Sequence, residues 1–265
     1  YYTAVVEDVG KTMKVVNPTD NTSPIQFYQT SADRDLMSIR DVIVGSKEYQ
    51  DLLTSSGFKS LIEFLKLLVK NNAKISIANH KNRKQIDNFL AENNDYFKNI
   101  TVYQADLTKD NVLDVMLNSV LKDQPVDIFI HLPTHPYVHK DLMKTTWDDI
   151  QNHINLQAKS FFNISKHLVP DMKLKKHGVL VNILTSYVVG KPPNGVGDYV
   201  IGKYSLLGLT RSMAVELGKF GIRVNSISPS MVNSPLTDKL PSKLKEMTKS
   251  QIPLESRLAE PTEVA

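Results

Sequence analysis

Short runs of valine and isoleucine alternate with longer amphipathic stretches from about residue 40 to the end of the chain. The first run is Asp41–Gly45, and Lys74–Ala78 is the second. Between them, Phe58–Lys70 has apolar residues at a helical spacing. Because buried parallel strands are continuous apolar runs joined by crossover helices, this order predicts a β-α-β unit.

The same alternation continues to residue 227. The further predicted elements are helix Lys84–Glu92, strand Asn99–Gln104, helix Asn111–Lys122, strand Val126–His131, helix Trp147–Leu174, strand Gly178–Leu184, helix Val200–Phe220 and strand Arg223–Ile227. We therefore expect an α/β fold, a Rossmann-like doubly wound parallel sheet in three α/β/α layers. Ligands of such sheets bind at the carboxyl ends of the strands.

The first 38 residues do not follow this alternation. Possible short strands at Ala4–Val9 and Thr12–Val16 precede a turn-rich stretch, Asn17–Pro24. We expect residues 1–38 to be an N-terminal extension or the tail of an upstream region, and residues 39–265 to form the domain.

The composition of the chain excludes several kinds of site. The chain has no cysteine, and its seven histidines show no metal-ligand spacing, which excludes disulfides, thiolate metal sites and a cysteine nucleophile. The net charge of +4 comes from scattered lysines, which favours a solvated surface over a nucleic-acid site. No apolar window approaches the roughly 18 residues of a membrane span. We expect a soluble, cytoplasmic protein without nucleic-acid or membrane partners.

Tyr199 and Lys203 lie four residues apart at the start of a predicted helix. That spacing puts the phenol and the ammonium on one helical face, about one turn apart. A phenol with a pKa of about 10 is a poor acid at neutral pH, but a neighbouring ammonium stabilises the phenolate and lowers that pKa. The pair is a candidate general acid/base, although a solvent-facing amphipathic helix can have the same spacing.

Ser186 ends the strand before this helix, 13 residues ahead of Tyr199. With these three residues the chain resembles the short-chain dehydrogenase/reductase family from about Asp41 to Ala265. The segments Leu206–Pro229 and Arg257–Ala265 are also similar to the family. The resemblance implies that Tyr199 exchanges a proton with the substrate oxygen while a nicotinamide exchanges a hydride with its carbon. Ser186 would hydrogen-bond that oxygen, and Lys203 would also hold the nicotinamide ribose.

The family's fourth catalytic residue is an asparagine on the preceding helix, which here corresponds to Asn155. The distance from Asn155 to Pro170 is about two residues longer than in the family. Asn152 or Gln157 could therefore occupy the place, and a solvent-facing helical asparagine is a further alternative.

The resemblance also implies a dinucleotide site. Gly45 and Ser46 end the first strand, and Ser56, Gly57 and Phe58 resemble the turn that opens the phosphate-binding helix. The chain departs from the family here, because Lys47–Thr54 are inserted and Lys59 stands where a third glycine is usual.

Further cofactor contacts are implied at the ends of later strands. Asp106, followed by Leu107, matches the adenine-contacting aspartate, although an Asx-type turn or helix cap would also explain it. The segment His131–Thr134 stands for the family's Asn-Asn-Ala-Gly, and Pro229–Ser230 for Pro-Gly. We expect His131 and Pro229 to contact the cofactor.

The second strand ends without the acidic residue that would bind an adenosine 2′-hydroxyl. The basic side chains of His80, Lys81 and Arg83 follow it, and basic groups suit a 2′-phosphate. We expect NADP rather than NAD, although a basic surface turn would have the same composition.

The sequence is compatible with two functions. One is an NAD(P)-dependent oxidoreductase that reduces a small carbonyl substrate with NADPH or oxidises the alcohol. The other is a catalytically inactive domain of the same fold that serves as a structural or interaction module. The family continues beyond the position of Ala265 with a further helix and strand, so we expect the last strand to be lacking. A homo-oligomer or a larger multidomain polypeptide is compatible with the sequence.

Overall fold

The computed structural model describes residues 13–15, 25–27, 41–46, 73–80, 91, 100–123, 125–135, 139–233, 242–250, 252 and 256–259. Two short strands near the start, β1 (Met13–Val15) and β2 (Ile25–Phe27), pair antiparallel with each other. β1 lies inside the predicted strand Thr12–Val16, whereas β2 was not predicted. Ala4–Val9 lies outside the described residues.

Six parallel strands form the main sheet in the order β5-β4-β3-β6-β7-β8. They are β3 (Asp41–Ser46), β4 (Lys74–Asn79), β5 (Ile100–Gln104), β6 (Ile128–His131), β7 (Gly178–Ile183) and β8 (Ile222–Ile227). The chain runs from β3 through β4 to β5 at one edge of the sheet. It then continues on the other side of β3 with β6, β7 and β8. This doubly wound order confirms the predicted α/β fold.

The described helices are α1 (Asp110–Asp123), α2 (Trp147–Ile154), α3 (Ser160–Lys175), α4 (Gly197–Gly218) and α5 (Ser242–Ser250). A π-helical segment, Asn155–Lys159, joins α2 to α3. The predicted single helix Trp147–Leu174 is therefore three consecutive helical segments. The predicted helix Phe58–Lys70 lies outside the described residues, and of Lys84–Glu92 only Ala91 is described, which is helical.

A capping box fixes the start of α2. The Thr146 hydroxyl accepts from the Asp149 N–H at 3.2 Å, and the Asp149 carboxylate accepts from the Thr146 N–H at 2.9 Å. The hydrogen bond from Lys140, together with that from Thr146, lowers the pKa of Asp149 to about 2. The carboxylate therefore stays charged at the helix N-terminus, where a negative charge is favourable.

The hydrophobic core fills the layer between the sheet and helices α1, α3 and α4. Its largest fully buried side chains include Phe129, Phe161, Leu113, Leu117, Ile164, Leu168, Met172 and Leu180. None of the described helices combines the length and the apolar composition that crossing a bilayer requires.

Candidate active site

The carboxyl ends of β3 and β6 are neighbours at the point where the strand order reverses. Gly45 is in register with Ala78 of β4 and with His131 of β6, and Ser46 is in register with Asn79. Ligands of doubly wound sheets bind at this switch point. Gly45, Ser46 and His131 thus lie at the edge where a ligand crevice is expected.

Tyr199 and Lys203 lie in the first two turns of α4, and both are buried, with exposures of 8 % and 3 %. The Lys203 Nζ is 5.7 Å from the centroid of the Tyr199 ring. The same Nζ donates a 2.7 Å hydrogen bond to the carbonyl oxygen of Ile183, the last residue of β7. The sheet therefore anchors the cation beside the phenol ring.

The start of α4 is held by a side chain of its own first turn. Val196, the N-cap residue, makes no side-chain cap hydrogen bond, although the first N–H groups of a helix need partners. The Asp198 Oδ1 instead accepts from the Tyr199 N–H at 2.8 Å. The helix begins three residues earlier than predicted, so Tyr199 lies inside its first turn.

Ser186 begins a short 3-10 turn, Ser186–Val188, that follows β7. Its N–H donates to the carbonyl oxygen of Pro229 at 2.8 Å, and the Leu184 N–H donates to Ile227 at 2.8 Å. These two bonds join the exits of β7 and β8. Ser186 and Pro229, which were singled out separately in the sequence, are therefore in contact.

Tyr187, next to Ser186, packs against the cluster that contains Tyr199. Burial raises the pKa of Tyr187 above its ordinary value. Its phenol therefore stays protonated at neutral pH and is poorly suited to exchange protons there.

The three candidates for the fourth catalytic residue have different surroundings. Asn152 is exposed, Asn155 is half-buried and Gln157 is fully buried. The Asn155 Oδ1 accepts a 2.9 Å hydrogen bond from Gln151. The backbone carbonyl of Gln157 bonds the His131 Nε2 at 3.0 Å, so Gln157 is the candidate in direct contact with the end of β6.

His131 is a buried neutral imidazole. Burial, supported by the charge of Lys203, lowers its pKa to about 3. Its ring contacts the rings of Phe129 and Phe161, at centroid distances of 5.5 and 5.4 Å. Because a carbonyl oxygen only accepts, the bond to Gln157 puts the ring proton on Nε2. His131 thus packs into the layer beneath α3.

Polar groups also collect at the ends of β4 and β5. The His80 Nε2 lies 3.5 Å from the Asp106 Oδ2, and the Asp106 Oδ1 accepts from the Thr108 N–H at 3.0 Å. Asp106 therefore forms the Asx-type turn that was one of its two interpretations, and Leu107 beside it is buried. Asn79 is 1 % exposed, and its amide has no hydrogen-bond partner in the described part of the chain.

Two buried residues near Tyr199 were missed by the sequence analysis, His153 and Asp198. The His153 Nε2 lies 3.7 Å from the Asp198 Oδ2, and its ring meets that of Tyr199 at a centroid distance of 6.1 Å. The position of Asp198 directly before Tyr199 was an available signal. His153 had none, because its neighbours come from another helix.

Four predicted cofactor residues, Ser56, Gly57, Phe58 and Lys81, lie outside the described residues. Among the residues that the structure describes, no group of His, Asp or Glu side chains could hold a metal ion.

Known proteins match this chain over most of its length. A family model described as enoyl-(acyl carrier protein) reductase matches residues 64–265. The 3-oxoacyl-(acyl-carrier-protein) reductase of Thermotoga maritima is 30 % identical over 203 residues, which are 75 % of this chain and 80 % of that protein. The chain also matches a Staphylococcus aureus protein of the same name at 38 % identity, but covers only 46 % of it.

Solved structures share the fold. A NAD⁺-bound xylitol dehydrogenase has a TM-score of 0.71 and 18 % identity, over 86 % of this chain and 90 % of its own. ElxO with NADP bound has a TM-score of 0.70 and 21 % identity, over 84 % and 87 % of the two chains.

Proposed function

This chain belongs to the short-chain dehydrogenase/reductase family of NAD(P)-dependent oxidoreductases, and we propose that Tyr199, Lys203 and Ser186 form its reaction centre. The observation that carries the proposal is the buried Tyr199–Lys203 pair on one face of α4. The reaction is the reduction of a carbonyl group or the reverse oxidation of an alcohol.

Tyr199 is the proton donor in the reducing direction. The Lys203 ammonium lies close to the Tyr199 ring and is held there by its hydrogen bond to the carbonyl oxygen of Ile183. A cation held in a buried site stabilises the phenolate more strongly than one in water, because the local dielectric constant is lower. The buried Lys203 cation therefore favours release of the proton from Tyr199.

Ser186 orients the substrate oxygen. The Pro229 carbonyl fixes the backbone of Ser186 at the exit of β7. No hydrogen bond joins its hydroxyl to another residue in the described segments, so the hydroxyl is available to a carbonyl oxygen. We keep Asn155 as the fourth member, and Asn155→Ala compared with Gln157→Ala tests that choice.

The residues present at the strand ends fit a nicotinamide dinucleotide. The support comes from Asn79, whose buried amide has no partner within the described residues and lies beside the end of β3. A buried amide without a partner is costly and suits a site that a polar ligand completes. When bound, the cofactor supplies or accepts the hydride.

Residues from both halves of the sheet would hold this cofactor. They are Gly45, Ser46, Ser56, Gly57, Phe58, Asp106, Leu107, His131, Pro229 and Lys203. We propose NADP as the preferred form, because His80 and Lys81 can pair with a 2′-phosphate. His80→Leu should then weaken NADPH binding at least about tenfold and leave NADH binding nearly unchanged.

The substrate is a small carbonyl compound. The acyl-thioester chemistry in the names of the relatives makes a β-keto thioester the first probe. Acetoacetyl-N-acetylcysteamine carries that group without a carrier protein. A panel of sugar and steroid-like ketones would extend the search.

The test combines cofactor binding with turnover. NADPH and NADH are titrated by fluorescence, and NADPH oxidation is followed with the thioester and the ketone panel. Tyr199→Phe should remove turnover and leave the NADPH Kd within about twofold. Tyr204→Phe is the matched control, since Tyr204 lies on the same helix but is exposed. Full turnover by Tyr199→Phe would refute the proposed centre.

A further inference from the structure

We propose that His153 is a positioning residue for the Tyr199–Lys203 pair: its neutral imidazole presents the Nε2–H to Asp198 and so holds the first turn of α4. The inference rests on the proposed function, because it takes Tyr199 as the proton donor. It concerns His153 on α2 and Asp198 on α4, two residues outside the proposed reaction centre.

The contact starts from the need of Asp198 for a partner. This carboxylate is 9 % exposed, and a buried charge is unfavourable unless it is paired or hydrogen-bonded. One oxygen accepts the Tyr199 N–H, and the other faces the His153 Nε2 at 3.7 Å. Asp198 therefore links His153 directly to the backbone of Tyr199.

The tautomer of His153 follows from its second nitrogen. The Gln157 Nε2 lies 3.4 Å from the His153 Nδ1. An amide nitrogen only donates, so Nδ1 accepts and the ring proton is on Nε2, opposite Asp198. Gln157 in turn bonds His131 through its backbone carbonyl. The imidazole thus has a polar neighbour at each nitrogen, Gln157 at Nδ1 and Asp198 at Nε2.

Burial keeps the His153 ring neutral. It lowers the pKa of His153 below the ordinary value and outweighs the opposing charge of Asp198, which is the next largest effect. Lys203 of α4 lowers the pKa further, and Asp149 raises it. The ring of His135, from the segment after β6, contacts the His153 ring at a centroid distance of 5.5 Å.

Gly202 makes room for this arrangement. A Cβ atom at Gly202 would lie 2.9 Å from the His153 Cβ and 3.2 Å from its backbone carbon. Such distances are too short for a side chain at position 202. The glycine lets α2 and α4 approach until His153 reaches the face of α4 that carries Tyr199 and Lys203.

The consequence for catalysis is geometric. Tyr199 lies in a terminal helical turn without an N-cap side chain, and such turns fray readily. A displacement of about 1 Å in a catalytic group can reduce a rate by about 100-fold. By holding Asp198, His153 keeps the phenol at a constant position relative to Lys203 and Ser186.

Two substitutions at His153 in the full chain test this role. Glutamine can present an N–H where Nε2 lies, whereas leucine has a similar volume and no donor. With acetoacetyl-N-acetylcysteamine and NADPH, His153→Leu should lower kcat at least about tenfold, with the NADPH Kd within about twofold of the original. His153→Gln should stay within about threefold of the original kcat.

A control and a double-mutant cycle separate positioning from general destabilisation. His167→Gln changes a histidine on α3 that pairs with Asp114 at the surface, and should leave kcat and Kd unchanged. Asp198→Asn should lower kcat, and adding His153→Leu to it should cost little more, because both act through one contact. Fully multiplicative losses would overturn the proposal.

Failure of the inference differs from failure of the proposed function. If Tyr199→Phe is inactive but His153→Leu has the original kcat, only the positioning role is wrong. If Tyr199→Phe is fully active, the reaction centre itself is wrong.

¹⁵N NMR of histidine-labelled protein decides the case if the thioester is not turned over or His153→Leu does not fold. The resonance that disappears in His153→Gln should belong to a neutral ring with its proton on Nε2 at about pH 7, and should shift in Asp198→Asn. An imidazolium, or a proton on Nδ1, would overturn the inference.

Discussion

The Lys203 Nζ donates a 2.7 Å hydrogen bond to the carbonyl oxygen of Ile183, and this bond joins the face of α4 that carries Tyr199 to the end of β7. Lys203→Met keeps the length of the side chain and removes the charge and the donor. Turnover should fall at least about 100-fold, since the phenol loses its cation.

The same change should lower the free energy of unfolding by about 1–3 kcal/mol, because the half-buried carbonyl of Ile183 loses its donor. Urea denaturation and NADPH oxidation measure the two effects. Lys191→Met removes an exposed lysine before α4 and is the control. Turnover by Lys203→Met within threefold of the original would contradict the role of the cation.

Gly202→Ala should be destabilising although alanine favours helices. The new Cβ would lie 2.9 Å from the His153 Cβ, and such overpacking costs about 1–3 kcal/mol. Gly208→Ala on the same helix is the matched control, because nothing lies within 4 Å of its Cβ. It should stabilise by about 0.5–1 kcal/mol. Equal effects in urea denaturation would show that α2 and α4 are not packed this closely.

His131 should make stability depend on pH. Its pKa in the folded chain is about 3, against 6.5 for the free side chain. Between these values the unfolded chain binds the extra proton, so the free energy of unfolding falls as the pH falls. The slope is about 1.4 kcal/mol per pH unit for this group.

His131→Asn removes that titration. Urea denaturation of both proteins at several pH values between about 7 and 4 gives the difference in slope. The original protein should lose stability faster on acidification than the variant. Parallel pH profiles would mean that His131 is not buried as a neutral ring.

Thr210→Val should destabilise the layer between β7 and α4. The Asn182 Nδ2 donates to the Thr210 Oγ1 at 2.8 Å, and both residues are buried. Valine keeps the shape but leaves the Asn182 amide without its acceptor, which costs about 1–3 kcal/mol. Thr210→Ser keeps the hydroxyl and should cost less in the same denaturation measurement. The reverse order would show that the methyl group matters more than the hydrogen bond.

The order of strands and helices was predictable because burial on both sides of a parallel sheet leaves uninterrupted apolar runs. The predicted strand Gly178–Leu184 and the observed Gly178–Ile183 differ by one residue. The proximity of Tyr199 and Lys203 was predictable too, since a helix fixes the geometry of residues four apart. Both the order of elements and the proximity of Tyr199 to Lys203 follow from the spacing of residues along the chain.

Contacts between distant segments were not predictable. β2 pairs with β1 through the backbone, which has no side-chain signature in the three residues Ile25–Phe27. α5 lies in a segment of mixed composition, and its apolar positions are too few to indicate a helix. The contact between His153 and Asp198 depends on how α2 packs against α4. Gly202 allows the two helices to lie close together.

The π-helical turn Asn155–Lys159 affects where the sequence can take up an added residue. In this turn the Ser160 N–H donates to the carbonyl oxygen of Asn155, so the turn is wider than an ordinary α-helical turn. One residue added to an ordinary helix would rotate everything after it by about 100°. A widened turn takes up such an addition locally, so that α2 can stay against α4 while α3 keeps Phe161 against the sheet. One residue added at this turn should therefore disturb the packing of α2 and α3 less than one added within either helix.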